Sequence, residues 1–392
     1  MRQGSWARMR QAAVSLVGCG LMLLTGCGEF FTPVNNNPGS GTSSFVYVSN
    51  AGSTLAEYSL TSGVLAALSG SPITLPEAPT CIAISPNNEF LYVGTALGVF
   101  IYTIGSDGTL TEGNDDTVVY LNASGYTVAS MVVDPTSSWL IIAYQNQTEI
   151  DALPISPTTG LANSTTAFTV NSTFGTLAPK LAISPANNNI FVALGSGGTN
   201  AFGFSPTSTT GNGPFGSRVS IAVSSKFTSG ASDTGVAVDP TSTYLYISEA
   251  DLATTPGPGA LRLFKISNLG TELSGSPYAT GIEPSSVLTD LSGDYVYVTN
   301  QTDNTISGFA FTAASQTLTA ISSSPFPTAK SPIALVEDSS KTYVMAIGSG
   351  ANPNFWLYSF DSTAADGTLD IGSSTSTAST SPSASNSIVA TH

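Results

Sequence analysis

The chain has 392 residues, a formal net charge of −15 at pH 7, 41% hydrophobic residues and only 9% charged ones. So negative a surface disfavours nucleic acid and anionic headgroups as partners. The charged fraction, far below the roughly 25% of ordinary soluble domains, leaves solubility to Ser, Thr, Asn and Gly, a composition suited to a secreted β-protein.

In chain order, residues 1–26 read as a secretory leader. Arg2, Arg8 and Arg10 precede an apolar run from Ala12 to Leu24, too short for a permanent membrane span but right for a leader's apolar segment. The run ends in Leu24-Thr25-Gly26-Cys27. This resembles the lipobox of bacterial lipoproteins, which implies a diacylglycerol on the Cys27 sulfur and Cys27 as the new N-terminus. Leu16-Val17-Gly18-Cys19 is a second, overlapping match. Cleavage there would truncate the apolar segment and leave Leu21–Leu24 on the product, so Cys27 is the better site. A plain signal peptide with a stray cysteine is the alternative. All 25 acidic residues and seven of the ten basic ones follow Cys27, so the processed chain carries 7 − 25 = −18. With Cys27 acylated, Cys81 is the one remaining thiol and no intramolecular disulfide can form. At the start of a predicted strand, Cys81 reads as a small buried apolar residue.

Residues 27–44, rich in Gly, Asn, Ser and Pro after the cysteine, read as a lipidated flexible tether. Several acyl chains together anchor firmly where one alone binds marginally. Residue 28 is Gly rather than Asp; by the sorting rule of such lipoproteins this implies the outer membrane, with the protein periplasmic or surface-facing.

From residue 45 onward one pattern recurs seven times. Aligned on their third residue, the strand-forming runs give Tyr47, Tyr92, Ile141, Phe191, Tyr246, Tyr297 and Met345, spaced by 45, 49, 50, 55, 51 and 48 residues. Six runs have an upstream partner ending at Ser85-Pro86, Asp134-Pro135, Ser184-Pro185, Asp239-Pro240, Asp290-Leu291 and Asp338-Ser339. Asp or Ser before Pro is turn chemistry, because the side chain closes a local hydrogen bond and Pro cannot continue a central strand. Each unit therefore reads as a strand (Cys81–Ile84), a tight turn (Ser85–Glu89) and a second strand (Phe90–Gly94). Third strands follow at Val99–Ile104, Leu261–Ile266, Ile306–Phe311 and Phe355–Phe360, and a weaker fourth near Gly108-Thr109-Leu110 and Gly367-Thr368-Leu369. No sustained 3.6-residue apolar period exists outside the N-terminus.

Seven units of four strands predict an all-β fold, a seven-bladed β-propeller over residues 45–392. A β-sandwich with coincidental spacing is the alternative, and seven matches at one offset argue against it. The first unit lacks an upstream strand, whereas the C-terminus carries an orphan one, Ser387-Ile388-Val389-Ala390-Thr391. The simplest repair is that this segment becomes the inner strand of the first blade, closing the ring and removing two exposed edges.

Tyr297-Val298-Thr299-Asn300 spells the signature of the YVTN repeat family, with Tyr47-Val48-Ser49-Asn50, Tyr92-Val93-Gly94-Thr95 and Tyr246-Ile247-Ser248-Glu249 as near variants. With the Ser/Asp-Pro turns and the Leu-Ser-Gly-Ser-Pro segments at Leu68–Pro72 and Leu273–Pro277, residues 45–392 resemble the lactonase-like seven-bladed propellers. That group includes the propeller form of bacterial 6-phosphogluconolactonase and the fungal carboxymuconate cyclase. Neither Trp-Asp strand ends nor Gly-His is present, which disfavours a WD40 protein.

The resemblance implies a site at one mouth of the central channel, where His, Arg and Glu move protons and clamp an anion. This chain departs from it. Its one histidine is His392, the final residue, and after Cys27 only Arg218 and Arg262 remain for bidentate anion recognition. Arg218 falls in a Gly-rich linker and Arg262 in a third strand, neither a natural place for a channel-lining group. Lys180, at the start of an inner strand, is the basic residue with a path to the channel. Loops after the second strands carry oxygen donors, Asn50, Asn146, Glu249, Asp251, Asn300 and Asp303. Such hard oxygens, if they converge, suit Ca²⁺, which polarises a lactone carbonyl and activates water, as regucalcin-type lactonases are held to do. Turns also select Asn and Asp for backbone reasons alone, and that reading is favoured here. No Gly-x-Ser-x-Gly elbow, His-Glu-x-x-His or Gly-Lys-Ser/Thr phosphate loop occurs.

The sequence thus points to an envelope-anchored, monomeric propeller acting as a binding or scaffold module without catalysis. Asn50, Asn146, Lys180, Glu249, Asp251 and Asn300 are its candidate ligand-binding residues, no cofactor is expected, and the ligand is a protein, a glycan or a small molecule. A lactone hydrolase, 6-phosphogluconolactonase-like or Ca²⁺-assisted, is the alternative.

Overall fold

A computed structural model describes residues 44–113, 125–162, 166–175, 177–227, 229–253, 255–350, 352–361, 366–375 and 385–392. The leader, Cys27 and the tether to residue 43 lie outside them. Among the described residues there is no α-helix, and the strands form seven separate antiparallel sheets. Each sheet is a four-strand ladder; three carry a short extra strand beside the third. The inner strands, Ser385–Ala390, Pro79–Ile84, Val128–Val133, Lys180–Ile183, Ala231–Val238, Pro284–Thr289 and Pro332–Glu337, each touch the next and the last touches the first. That ring is a seven-bladed β-propeller.

The C-terminal strand closes it. Val46 pairs with Ala390, Val48 with Ile388 and Asn50 with Ser385. The Thr391 N–H donates to the Phe45 carbonyl and the Thr391 hydroxyl accepts from the Phe45 N–H, both at 2.9 Å. The closing strand begins two residues earlier than the sequence suggests.

Period-two alternation in the second strands explains how flat sheets make a core. Tyr47 faces the second blade beside Leu91 and Val93, whereas Val46 and Val48 face the seventh beside Met345 and Ile347. Seven apolar clusters result, one in each gap between blades. The repeated tyrosine adds a polar fastening. Tyr47, Tyr92 and Tyr297 each donate a buried hydroxyl, at 2.7–2.8 Å, to the carbonyl of Gly108, Gly160 or Gly367 in the next blade's outer hairpin. These glycines have φ of +82°, +67° and +82°, and a Cβ at Gly108 would lie 2.1 Å from the Phe45 ring. Only glycine meets both demands.

The two turn motifs are also architectural. Asp134 accepts the Ser138 and Trp139 N–H groups at 2.6 Å with one oxygen and the Thr136 hydroxyl with the other; Asp239, Asp290 and Asp338 repeat the pattern. In the Leu-Ser-Gly-Ser-Pro segments, Ser71 and Ser276 accept the third-strand N–H groups of Glu57 and Leu263 at 2.8 and 3.0 Å, and Ser324 does so for Gly308. A side chain thus stands in where the fourth strand gives way to the short extra one. That substitution is why a Ser-Pro of this kind, Ser71-Pro72, Ser276-Pro277 or Ser324-Pro325, occurs in each of the three blades that carry an extra strand.

Candidate functional site

Strand direction gives the ring two faces. One carries the Asp/Ser turns and outer hairpins; the other carries the loops joining second to third strands and each blade to the next. The oxygen-bearing candidates all belong to the loop face, but they lie on four blades. Asn50 is buried in the first blade, donating to the Thr54 hydroxyl at 3.4 Å and accepting from Ser385 at 3.3 Å. Its equivalent in the sixth, Asn300, donates to Thr305 and Ser307 at 3.0 and 2.9 Å and accepts the Gly281 N–H at 3.0 Å. Asn146, in the third, is exposed, with a left-handed backbone at φ +58°. Asp251, in the fifth, accepts the Ala253 N–H at 3.2 Å, and Asp303 that of Ile282 at 2.7 Å. These are turn and strand-end bonds. Among the described residues no three of His, Cys, Asp or Glu are placed to hold a metal ion.

Glu249 belongs to a cluster that the sequence does not announce. It is fully buried and accepts both the N–H (2.5 Å) and the hydroxyl of Ser224. Arg262 lies 3.5 Å from Glu249, 3.5 Å from Asp233 and 2.9 Å from Glu272, and donates to the Ala222 carbonyl at 2.9 Å. Asp233 accepts the Thr199 hydroxyl at 2.7 Å, and Glu272 accepts from Ser276 at 2.6 Å. Arg262 thus gathers three carboxylates of its own blade, while the Thr199 bond to Asp233 ties the fifth blade to the fourth and Ala222 and Ser224 join the cluster. Burial pushes the Asp233 carboxyl up to about 7, outweighing Thr199 and Arg262, with the nearby Glu249 charge adding to the rise. A charge flanked by Leu261 and Leu263 in a strand interior is the clue to Arg262 that the sequence holds.

Register also aligns the inner strands with one another. The inner-strand residues paired two positions beyond the aligned third residue are Ser387, Cys81, Ser130, Lys180, Gly235, Ser286 and Ala334. Six are small and neutral; the seventh is Lys180. Lys180 is solvent-exposed, and desolvation by the surrounding protein lowers its pKa. Its charge is felt at Cys81, two blades away, whose thiol burial pushes up to about 12. In the sequence this tier stands five residues before each turn's Pro, Leu or Ser. Two further grooves, each of about 390 Å³, lie at the rim. One, beside Arg218, lies between the third and fourth blades, and one, beside Asn300 and Asp303, between the fifth and sixth.

The fold is shared with solved structures. A protein from Lactobacillus plantarum is 17% identical with a TM-score of 0.66, the match covering 89% of this chain and 99% of that one. A putative 6-phosphogluconolactonase from Bacteroides uniformis is 15% identical with a TM-score of 0.62 over the same shares. The Pseudomonas aeruginosa periplasmic gluconolactonase PpgL is 12% identical with a TM-score of 0.60, covering 88% of this chain and 99% of its own. At these identities the likeness is one of fold, the β-propeller. No family model and no curated protein matches the sequence.

Proposed function

We propose that this protein is a binding propeller of the bacterial envelope, held by a lipid on Cys27, which takes its ligand into the central channel from the loop face and does not turn it over. The observation that carries this reading is the commitment of Glu249, Asp233 and Arg262 to the junction of the fourth and fifth blades. The side chains best suited to proton transfer and anion clamping on the loop face are already spent on holding the ring together. His392 is likewise held by backbone bonds, its N–H donating to Asn88 at 2.8 Å and its carbonyl accepting from Asn88 at 2.9 Å. The described residues enter the ring at Ser44, on the turn face.

The second reading, lactone hydrolysis, draws on the fold shared with the Bacteroides uniformis putative 6-phosphogluconolactonase and the Pseudomonas aeruginosa periplasmic gluconolactonase. A panel of sugar and aliphatic lactones assayed with Ca²⁺ and with chelator separates the two. No turnover above the uncatalysed rate is expected. Chelator-sensitive hydrolysis abolished by Glu249→Ala would overturn the binding reading.

A further inference from the structure

We infer that the cleft between the fifth and sixth blades, with Ser307 at its buried end and Asp303 at its exposed end, is a binding site for one unit of an uncharged saccharide. The inference goes beyond the channel reading above, because the cleft lies at the rim and needs nothing from the channel. Register shows why a hollow exists here. Val298 pairs with Ser307 as Val192 pairs with Asn200 and Ile247 with Arg262. In the fourth and fifth blades that residue reaches the segment arriving from the preceding blade. Asn200 accepts the Thr173 N–H at 2.8 Å, and Arg262 donates to the Ala222 carbonyl at 2.9 Å. In the sixth blade the arriving segment is Tyr278–Ile282, and Ser307 bonds to Asn300 instead. Ala279, Gly281 and Ala320 add little bulk, and about 390 Å³ stays open, a volume in the range of small-molecule sites.

The polar groups around that space converge. The Asn300 amide donates to the Thr305 and Ser307 hydroxyls at 3.0 and 2.9 Å and accepts the Gly281 N–H at 3.0 Å. A Cβ on Gly281 would lie 2.8 Å from the Asn300 Cγ and closer still to the Asp303 carboxylate, so carboxylate and amide stand side by side. Ser324 accepts the Gly308 N–H at 2.9 Å. Toward the protein, then, Thr305, Ser307 and Ser324 act as acceptors, and among the described residues none of the three hydroxyls donates to a protein group. Ser307 is 7% exposed, so its unspent hydrogen is costly unless an occupant accepts it. Asp303 spends one oxygen on the Ile282 N–H at 2.7 Å and keeps the other for a donor. The matching ligand must accept from hydroxyls and donate to a carboxylate, and a sugar hydroxyl does both. A cation would pair with Asp303 but accept none of the three hydroxyl hydrogens. An anion would meet the Asp303 charge with no Lys or Arg lining the cleft to offset it. Phe309 and Pro325 supply an apolar wall for the C–H face of a sugar ring.

Neutral methyl glycosides test the site: the α-glucoside, the α-mannoside and the β-galactoside, with glucuronate as the anionic control and tetramethylammonium as the cationic one. Each is titrated by saturation-transfer NMR against the full-length protein in a sugar-free detergent. At least one glycoside should bind, and more tightly than either charged control. Ser307→Asn sends a side chain like that of Asn200 into the cleft and should abolish binding. Ser307→Ala, and Asp303→Asn, which keeps an acceptor for Ile282, should each weaken it by about tenfold. Arg218→Ala, in the other rim groove, should leave the affinity unchanged. Melting curves establish that the variants fold; should Ser307→Asn not fold, the other two decide. No binding by any of the three glycosides, tighter binding of a charged control, binding that survives in Ser307→Asn, unchanged affinity in Ser307→Ala or Asp303→Asn, or weaker binding in Arg218→Ala would overturn the inference. Lactone turnover would refute the non-catalytic reading while leaving this binding result standing.

Discussion

Glu337 gives the sharpest prediction about stability. It ends the inner strand of the seventh blade, is 8% exposed, and accepts the Leu291 N–H of the sixth blade at 2.6 Å with one oxygen. Its other oxygen is buried with no partner. Burial pushes its pKa from 4.5 up to about 8, helped by the charges of Asp290 and Asp338, while the Leu291 N–H and Lys341 pull the other way. The folded state therefore holds a proton that the unfolded chain releases. Stability is fullest below pH 4.5 and declines as the pH rises to about 8. With those two values the ionisation penalty is about 1 kcal/mol at pH 5, about 3 at pH 7 and about 4 at pH 8. Glu337→Gln keeps an acceptor for Leu291 and cannot ionise. Denaturant unfolding of both proteins at about pH 5 and about pH 8 should show the variant more stable by several kcal/mol at the higher pH and nearly equal at the lower. The difference between the two curves isolates Glu337, since Asp233, raised from 3.8 to about 7, contributes in the same direction to both. Equal pH slopes in parent and variant, or a parent that gains stability between pH 5 and 8, would refute the reasoning.

Three further outcomes follow from named contacts. Arg262→Met leaves Glu249 and Asp233 buried without their cation and should cost about 3–5 kcal/mol near neutral pH, less in mild acid where Asp233 is protonated, as measured by denaturant unfolding. Gly108→Ala asks for a side chain at φ +82° and 2.1 Å from Phe45, so a loss on the order of 3 kcal/mol is expected by the same measurement. Deleting residues 387–392 removes the inner strand of the first blade and bares the Ser44–Asn50 edge, and should lower the melting temperature by many degrees in calorimetry.

The repeat was readable because blade architecture is local: an Asp or Ser turn, two strands and a hairpin recur within about fifty residues, and each piece obeys its own turn and period chemistry. Ring closure was readable because one unit lacked a strand and the C-terminus had a spare. The cluster around Arg262 was not, since Asp233, Glu249 and Glu272 come from three other strands of the fifth blade and reach the guanidinium only when that sheet pairs and the Ala222 carbonyl packs against it. Nor does a sequence show that the oxygen donors of Asn50 and Asn300 turn inward to strand ends. Lys180 was assignable to an inner strand from its place before the Ser184-Pro185 turn.

Every placement in the channel depends on that closed ring, and amide hydrogen exchange of the C-terminal strand tests it most directly. The amides of Ser385–Ala390 that pair with Val46–Asn50 should exchange as slowly as those of the central strands Phe90–Thr95 and Tyr295–Asn300, through global unfolding alone. Fast exchange of this segment beside protected central strands would mean an open ring.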